Sequence, residues 1–138
     1  MTTQRLKKQG TGESLRHALT ILRQLPDFHQ IRFIIHYGSS AEGRMMKGSD
    51  IDLCLYFDGT LSDASRFRYT ALTELDDERF DIQIFAQLPL YVRVEVLRGT
   101  VIYTDDIRFV YDTALETIRH YEAFKHRLYD YTGQAALS

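Results

Sequence analysis

Gly38-Ser39, ten intervening residues, then Asp50-Ile51-Asp52-Leu53-Cys54-Leu55-Tyr56-Phe57 is the stretch on which the reading of this chain turns. The run from Asp50 to Phe57 alternates and is rich in apolar and aromatic residues, which predicts a β-strand. Side chains at i and i+2 of a strand share a face, so Asp50 and Asp52 project together. Two neighbouring carboxylates repel unless a cation lies between them. Carboxylate oxygens are the ligands Mg2+ prefers, with nucleotide phosphates completing its shell. Gly38-Ser39 supplies the complementary half. Glycine lets backbone approach a phosphate, and the amides that open a helix, here predicted from Ser39 to about Met45, carry partial positive charge.

A third acid lies in Arg79-Phe80-Asp81-Ile82-Gln83-Ile84-Phe85, also a predicted strand. Asp81 is in phase with Gln83 and out of phase with Ile82 and Ile84. If this strand lies beside the first, Asp81 reaches the Asp50/Asp52 pair. Three such acids can hold two metal ions and accept the proton of an attacking hydroxyl. Asp81 is then a base, or only a metal ligand, since coordination itself acidifies a hydroxyl. Arg44 and Lys47 flank two methionines between Gly43 and Gly48. They can bind triphosphate oxygens, or stay solvated on an exposed loop. Ser49 can bond a phosphate or cap its turn.

Gly38-Ser39, Asp50-Ile51-Asp52 and Asp81 resemble the nucleotidyltransferases of the DNA polymerase β superfamily. More narrowly, the block Gly38-Ser39-Ser40-Ala41-Glu42-Gly43, the segment Leu97-Arg98-Gly99-Thr100-Val101-Ile102-Tyr103 and the tyrosine-rich tail resemble the minimal nucleotidyltransferases, the MntA antitoxins paired with HepT toxins. Glu42 departs from the pattern, standing where the family often has a basic residue. The resemblance implies an α+β, polymerase β-like fold with a mixed sheet flanked by helices. It implies Asp50, Asp52 and Asp81 as catalytic and metal-binding residues, and Gly38, Ser39, Arg44, Lys47 and Ser49 as nucleotide-binding residues. It implies two Mg2+ ions, ATP as donor, and transfer of AMP to a tyrosine of a HepT-like HEPN ribonuclease, which neutralises that toxin. Two other readings stay open: transfer to a small-molecule hydroxyl, and a non-catalytic antitoxin that blocks the toxin by binding.

Size and composition fit that frame. The chain has 138 residues, 44% hydrophobic and 26% charged, which is ordinary for one globular domain. Little sequence follows the predicted sheet, so the acceptor is expected to be presented by another protein. A net charge of −2 implies no strongly basic face, and direct nucleic-acid binding is not expected. The lone cysteine, Cys54, excludes an internal disulfide and suits a reducing cytoplasm; it reads as buried core rather than nucleophile. No signal peptide and no apolar run of about 18 residues is apparent.

Residues 1–12 read as a mobile arm. Helices are predicted over Glu13–Leu25, Ser62–Leu75 and Pro89–Arg98, with strands at Ile31–Tyr37 and Val101–Tyr103. The last element, 105–129, is a long helix. Its stripe Ile107, Tyr111, Ala114, Ile118, Tyr121 and Leu128 either packs on the sheet or, with Phe124, Tyr129 and Tyr131, meets a partner. His36 reads as a core or edge histidine. Arg119 and His126 have the Arg-x6-His spacing of HEPN ribonucleases, but the strand-rich chain upstream argues for coincidence.

Overall fold

The computed structural model describes the backbone of residues 2–38 and 50–137 and the side chains of residues 10–38 and 50–130. Four strands form one sheet: β1 (Ile31–Tyr37), β2 (Ile51–Phe57), β3 (Phe80–Ile84) and β4 (Thr100–Thr104), in spatial order β3-β2-β1-β4. β1 runs antiparallel to both β2 and β4, whereas β2 and β3 are parallel. The helices are α1 (Thr2–Arg23), α2 (Leu61–Leu75), α3 (Leu90–Leu97) and α4 (Ile107–Leu137). This is the mixed, helix-flanked α+β architecture expected from the sequence. The helix predicted from Ser39 and the loop Lys47-Gly48-Ser49 lie outside the described residues.

Alternation sorts the strand residues onto two faces. Ile51, Leu53, Leu55 and Phe57 of β2, with Phe80, Ile82 and Ile84 of β3, pack beneath Ala18 and Leu22 of α1 and Ala64, Phe67, Ala71 and Leu75 of α2. The α2 residues recur at helical spacing, so one face of that helix is apolar. The helix starts where Thr60 accepts a hydrogen bond from the Asp63 amide at 3.0 Å and ends at Asp76, which takes the left-handed conformation (φ 46°). On the opposite face a smaller cluster joins Cys54, Phe33, Ile35 and Phe85 to Val96 of α3 and Val110 of α4. A register shift between Ile31 and Phe33 moves β1 from one phase to the other. At that shift Arg32 bonds Asp105 at 3.2 Å and stacks over Phe109 at 3.9 Å, tying the sheet to the start of α4.

Two elements differ from the sequence reading. α1 extends to Thr2, with a break at Gly10 (φ 65°, ψ −153°) that separates the predicted helix from the residues before it. On α4, Val110 and Thr117 are buried, whereas Ile107, Tyr111, Ile118 and Leu128 of the predicted stripe are 45–68% exposed. Thr117 can face inward because its hydroxyl bonds the Thr113 carbonyl at 2.7 Å. From Glu122 to Asp130 every residue is exposed.

Candidate active site

Three adjacent strands bring Tyr37, Asp52 and Asp81 to one level: Tyr37 pairs with Asp52 across β1 and β2, and Asp52 with Asp81 across β2 and β3. Parallel pairing starts β2 and β3 side by side, and the Ile51 amide donates to the Arg79 carbonyl at 2.6 Å. Residues opposite one another on neighbouring strands share a face. That face is the one bearing Cys54, Tyr56 and Gln83, not the larger core. Asp50 is exposed, one residue ahead of β2, at the mouth of the parallel pair.

The electrostatics follow from this crowding. Burial pushes the Asp52 carboxyl above its ordinary value, and the negative charges of Asp81 and then Asp50 push it further. The Tyr37 hydroxyl is raised well above its usual range by burial, with Cys54, Asp52 and Asp81 adding to it. Burial likewise raises the Cys54 thiol, partly offset by Arg93, which leaves it a core residue and not a nucleophile. Gln83 Nε2 donates to both oxygens of Asp81, each at 3.3 Å. Among the described residues no three acidic, histidine or cysteine side chains converge as a ready-made metal cage. The three acids are thus near enough to repel but are not drawn around a common point.

Gly38 closes the site. Its φ is +82°, and a Cβ built there would clash with Asp52 Oδ2 and lie 3.2 Å from Asp52 Cγ. Only glycine tolerates both the dihedral and the contact. Ser39, Arg44, Lys47 and Ser49 lie outside the described residues. Sequence reasoning misses Tyr37 and Gln83 as site residues, though the strand phase carries the signal: each is the in-phase neighbour of an acid, across the ladder or along the strand. His36 is the buried strand histidine expected, its pKa lowered by burial. Arg119 and His126 are exposed on α4, and His126 Nε2 lies 3.3 Å from Asp130.

Residues 20–108 match the family Polymerase beta, Nucleotidyltransferase. The chain belongs to this nucleotidyltransferase family. It is 35% identical over 75 residues to the Putative protein adenylyltransferase of Methanocaldococcus jannaschii, a match covering 54% of this chain and 57% of that protein, so the chain spans little more than half of this relative's length. Its fold is similar to a toxin–antitoxin solved with AMP-PNP, with a TM-score of 0.65, 16% identity, and coverage of 91% of this chain and 98% of the other. It is also similar to a chain of the complex of a tri-AMPylated Shewanella oneidensis HEPN toxin with an MNT antitoxin (TM-score 0.64, 15% identity, 92% and 98% covered). At these identities the likeness establishes a common fold. The matched region runs from α1 to the first turn of α4 and includes Gly38, Asp50, Asp52 and Asp81. The donor set fits the divalent cation expected of a nucleotidyltransferase: hard carboxylate oxygens, with Asp81 and Asp50 repelling the charge of Asp52. Among the described residues no helix is long and apolar enough to cross a membrane.

Proposed function

We propose that this nucleotidyltransferase is an antitoxin that transfers AMP from ATP to a tyrosine hydroxyl of a HepT-like HEPN ribonuclease and thereby silences it. The observation that carries the reading is the in-register pair Asp52–Asp81 on parallel strands, with Asp50 at the mouth and Gly38 pressed against the Asp52 carboxylate. The tyrosine oxygen bonds to the α-phosphorus of ATP, the bond to the bridging oxygen breaks, and pyrophosphate leaves. The phenolic proton passes to a carboxylate of the triad. Asp81, opposite Asp52 at the start of β3, is the carboxylate placed to accept it. Asp81 is held towards Gln83, whose amide fixes the orientation of its carboxylate. Asp50, Asp52 and Asp81 would hold Mg2+, which supplies charge neutralisation at the α-phosphate and at the leaving pyrophosphate. Gly38 and Ser39 admit the phosphates to bare backbone amides, and Arg44, Lys47 and Ser49 meet the remaining triphosphate oxygens. The exposed apolar residues of α4, among them Tyr111, Leu115, Phe124, Leu128 and Tyr129, dock the toxin.

The test is incubation with ATP, Mg2+ and a HEPN ribonuclease encoded beside this chain, followed by mass spectrometry of the ribonuclease. Each AMP added should increase a tyrosine-bearing peptide by about 329 Da, one phosphoester at a time, and substoichiometric protein should suffice. Equal protection by Asp52→Asn with no mass change would leave a purely binding antitoxin. Modification of an added aminoglycoside-like hydroxyl compound in place of the protein would point to a small-molecule acceptor.

A further inference from the structure

Only the first part of α4 is packed. Val110, Ala114, Thr117, Tyr121, Phe124 and Leu128 recur at alternating steps of four and three, the spacing that builds one straight seam along a helix. The domain covers the start of this seam. Val110 and Thr117 are buried, α3 packs against α4, and Val96 of α3 belongs to the same apolar cluster as Val110. A helix is thus what the seam already receives within its own fold. At the end of α3, Val94 and Leu97 stand across a groove of about 340 Å³ from Ile118 and Tyr121. Beyond that groove the spacing continues but the cover does not: Phe124 is 48% exposed and Leu128 49%. The backbone of α4 runs on to Leu137, about 24 Å past Tyr121 at 1.5 Å per residue.

The charges of α4 are sorted about this seam. At 100° per residue, Lys125 stands about 60° from its middle on one side, and His120 and Arg127 about 80–100° on the other. Asp112, Glu116, Glu122 and Asp130 all lie about 120–160° away. The borders are therefore cationic and the acids face elsewhere. The Lys125 ammonium lies 5.5 Å from the centre of the Tyr121 ring, beside the seam. Its contact with Glu122 at 3.6 Å joins two exposed side chains and holds it only weakly. A second copy of this chain is a poor occupant. Set antiparallel with Phe124 opposite Leu128, two such seams bring Lys125 against Lys125 and Arg127 against Arg127. Set parallel, they bring His120 towards Lys125. A helix with acidic borders meets neither conflict and pairs with both cations.

From the seam and its borders we infer that the projecting part of α4 receives an amphipathic helix of a partner protein, with apolar residues every three or four positions and Asp or Glu on both sides of them. This is recognition of one helix by the apolar face of another, with the flanking charges setting the choice of partner. The inference rests on the docking proposed above for which protein supplies that helix. α3 and α4 cover the sheet face that carries Cys54, the face that Asp52 and Asp81 share, so the partner is held on the side of the proposed site.

The test is the affinity of the full chain for the HEPN ribonuclease encoded beside it, measured by calorimetry without ATP. Phe124→Ala and Leu128→Ala should each weaken binding by about tenfold or more. Lys125→Glu and Arg127→Glu should do the same, whereas Arg119→Glu, an equal change of charge on the far side of α4, should change affinity by less than about twofold. Carbodiimide, which joins an amine directly to a carboxylate, should couple Lys125 to an Asp or Glu within a helical segment of the ribonuclease. Circular dichroism checks that each variant keeps its helices. Absence of binding overturns the inference. So does binding indifferent to Phe124, Leu128 and both border cations, or coupling of Lys125 to a second copy of this chain. Binding that depends on the seam but leads to no AMP transfer refutes the proposed reaction and leaves the docking in place. AMP transfer at the wild-type rate by the seam variants does the reverse.

Discussion

Replacing Gly38 by alanine tests the whole construction of the site. At φ +82° the glycine occupies a region that costs an L-residue roughly 1–2 kcal/mol. The added methyl has a second effect, because its ideal position clashes with Asp52 Oδ2 and lies 3.2 Å from Cγ. Backbone at 38 or the carboxylate at 52 must move by about 1 Å to clear it. A displacement of that size in a reacting constellation typically costs about 100-fold in rate. The dihedral penalty alone should lower the melting temperature by about 3–7 °C in a chain of this length. Gly10→Ala is the matched control: its φ is +65°, but nothing lies within 4 Å of the new methyl. The assay is AMP transfer measured alongside thermal unfolding for both variants. Gly38→Ala should lose about two orders of magnitude of activity at a temperature where it is fully folded, and Gly10→Ala should keep its activity. Wild-type turnover by folded Gly38→Ala would refute the placement of Gly38 against the proposed catalytic carboxylate.

Three further outcomes are expected. Asp52→Asn should abolish transfer yet hold or raise the melting temperature, because it removes a half-buried charge that Asp81 and Asp50 repel; a large loss of stability would make Asp52 a structural residue. Ser39→Ala should weaken binding of a non-hydrolysable ATP analogue by about tenfold or more, the worth of one hydrogen bond to a charged group, and unchanged calorimetric affinity would remove Ser39 from the site. Asp77, whose pKa is lowered chiefly by its hydrogen bond from Arg79, contributes stability above the unfolded carboxylate value and loses it as the pH falls through the lower folded value; Asp77→Asn should therefore cost less than about 1 kcal/mol at neutral pH for this partly exposed pair, and the gap to wild type should close below about pH 4.

What could be read from the sequence was what strict periodicity carries. β1 at 31–37 and β2 at 51–57 were legible because apolar side chains alternate across two covered faces, and a two-residue period fixes which acids look the same way. The parallel register that sets Asp81 opposite Asp52 was not, since pairing depends on how α2 returns the chain, not on either strand's own residues. The packed face of α4 escaped the helical pattern for a local reason. Thr117 looks polar in a sequence, but its hydroxyl is satisfied by the turn before it, so it can be buried while Ile118 is not. Tyr37 is hard to recognise as a neighbour of the acids because an aromatic residue ending an apolar strand reads as core. Its position becomes meaningful only when β1 and β2 are laid side by side.

The proposed site coincides with the one place where the fold breaks its own pattern. Six of the seven residues of β2 are apolar or aromatic and serve the two cores; the seventh, Asp52, is a half-buried carboxylate. Its neighbours worsen its position, since Asp81 faces it across the ladder and Asp50 precedes it, and both raise its pKa. Nothing in packing requires this: an asparagine or threonine would fill the same space without the charge. A sequence that is locally consistent everywhere else tolerates such a conflict where chemistry needs it. The glycine at 38 points the same way, because its bare Cα leaves room for the Asp52 carboxylate and not for any hydrophobic neighbour. Two independent departures, an acid where the sheet should be apolar and a glycine where the strand should turn with a side chain, converge on the same oxygen atom. Under the proposed function, a divalent cation with a nucleotide triphosphate is the ligand chemistry that would turn both from costs into function.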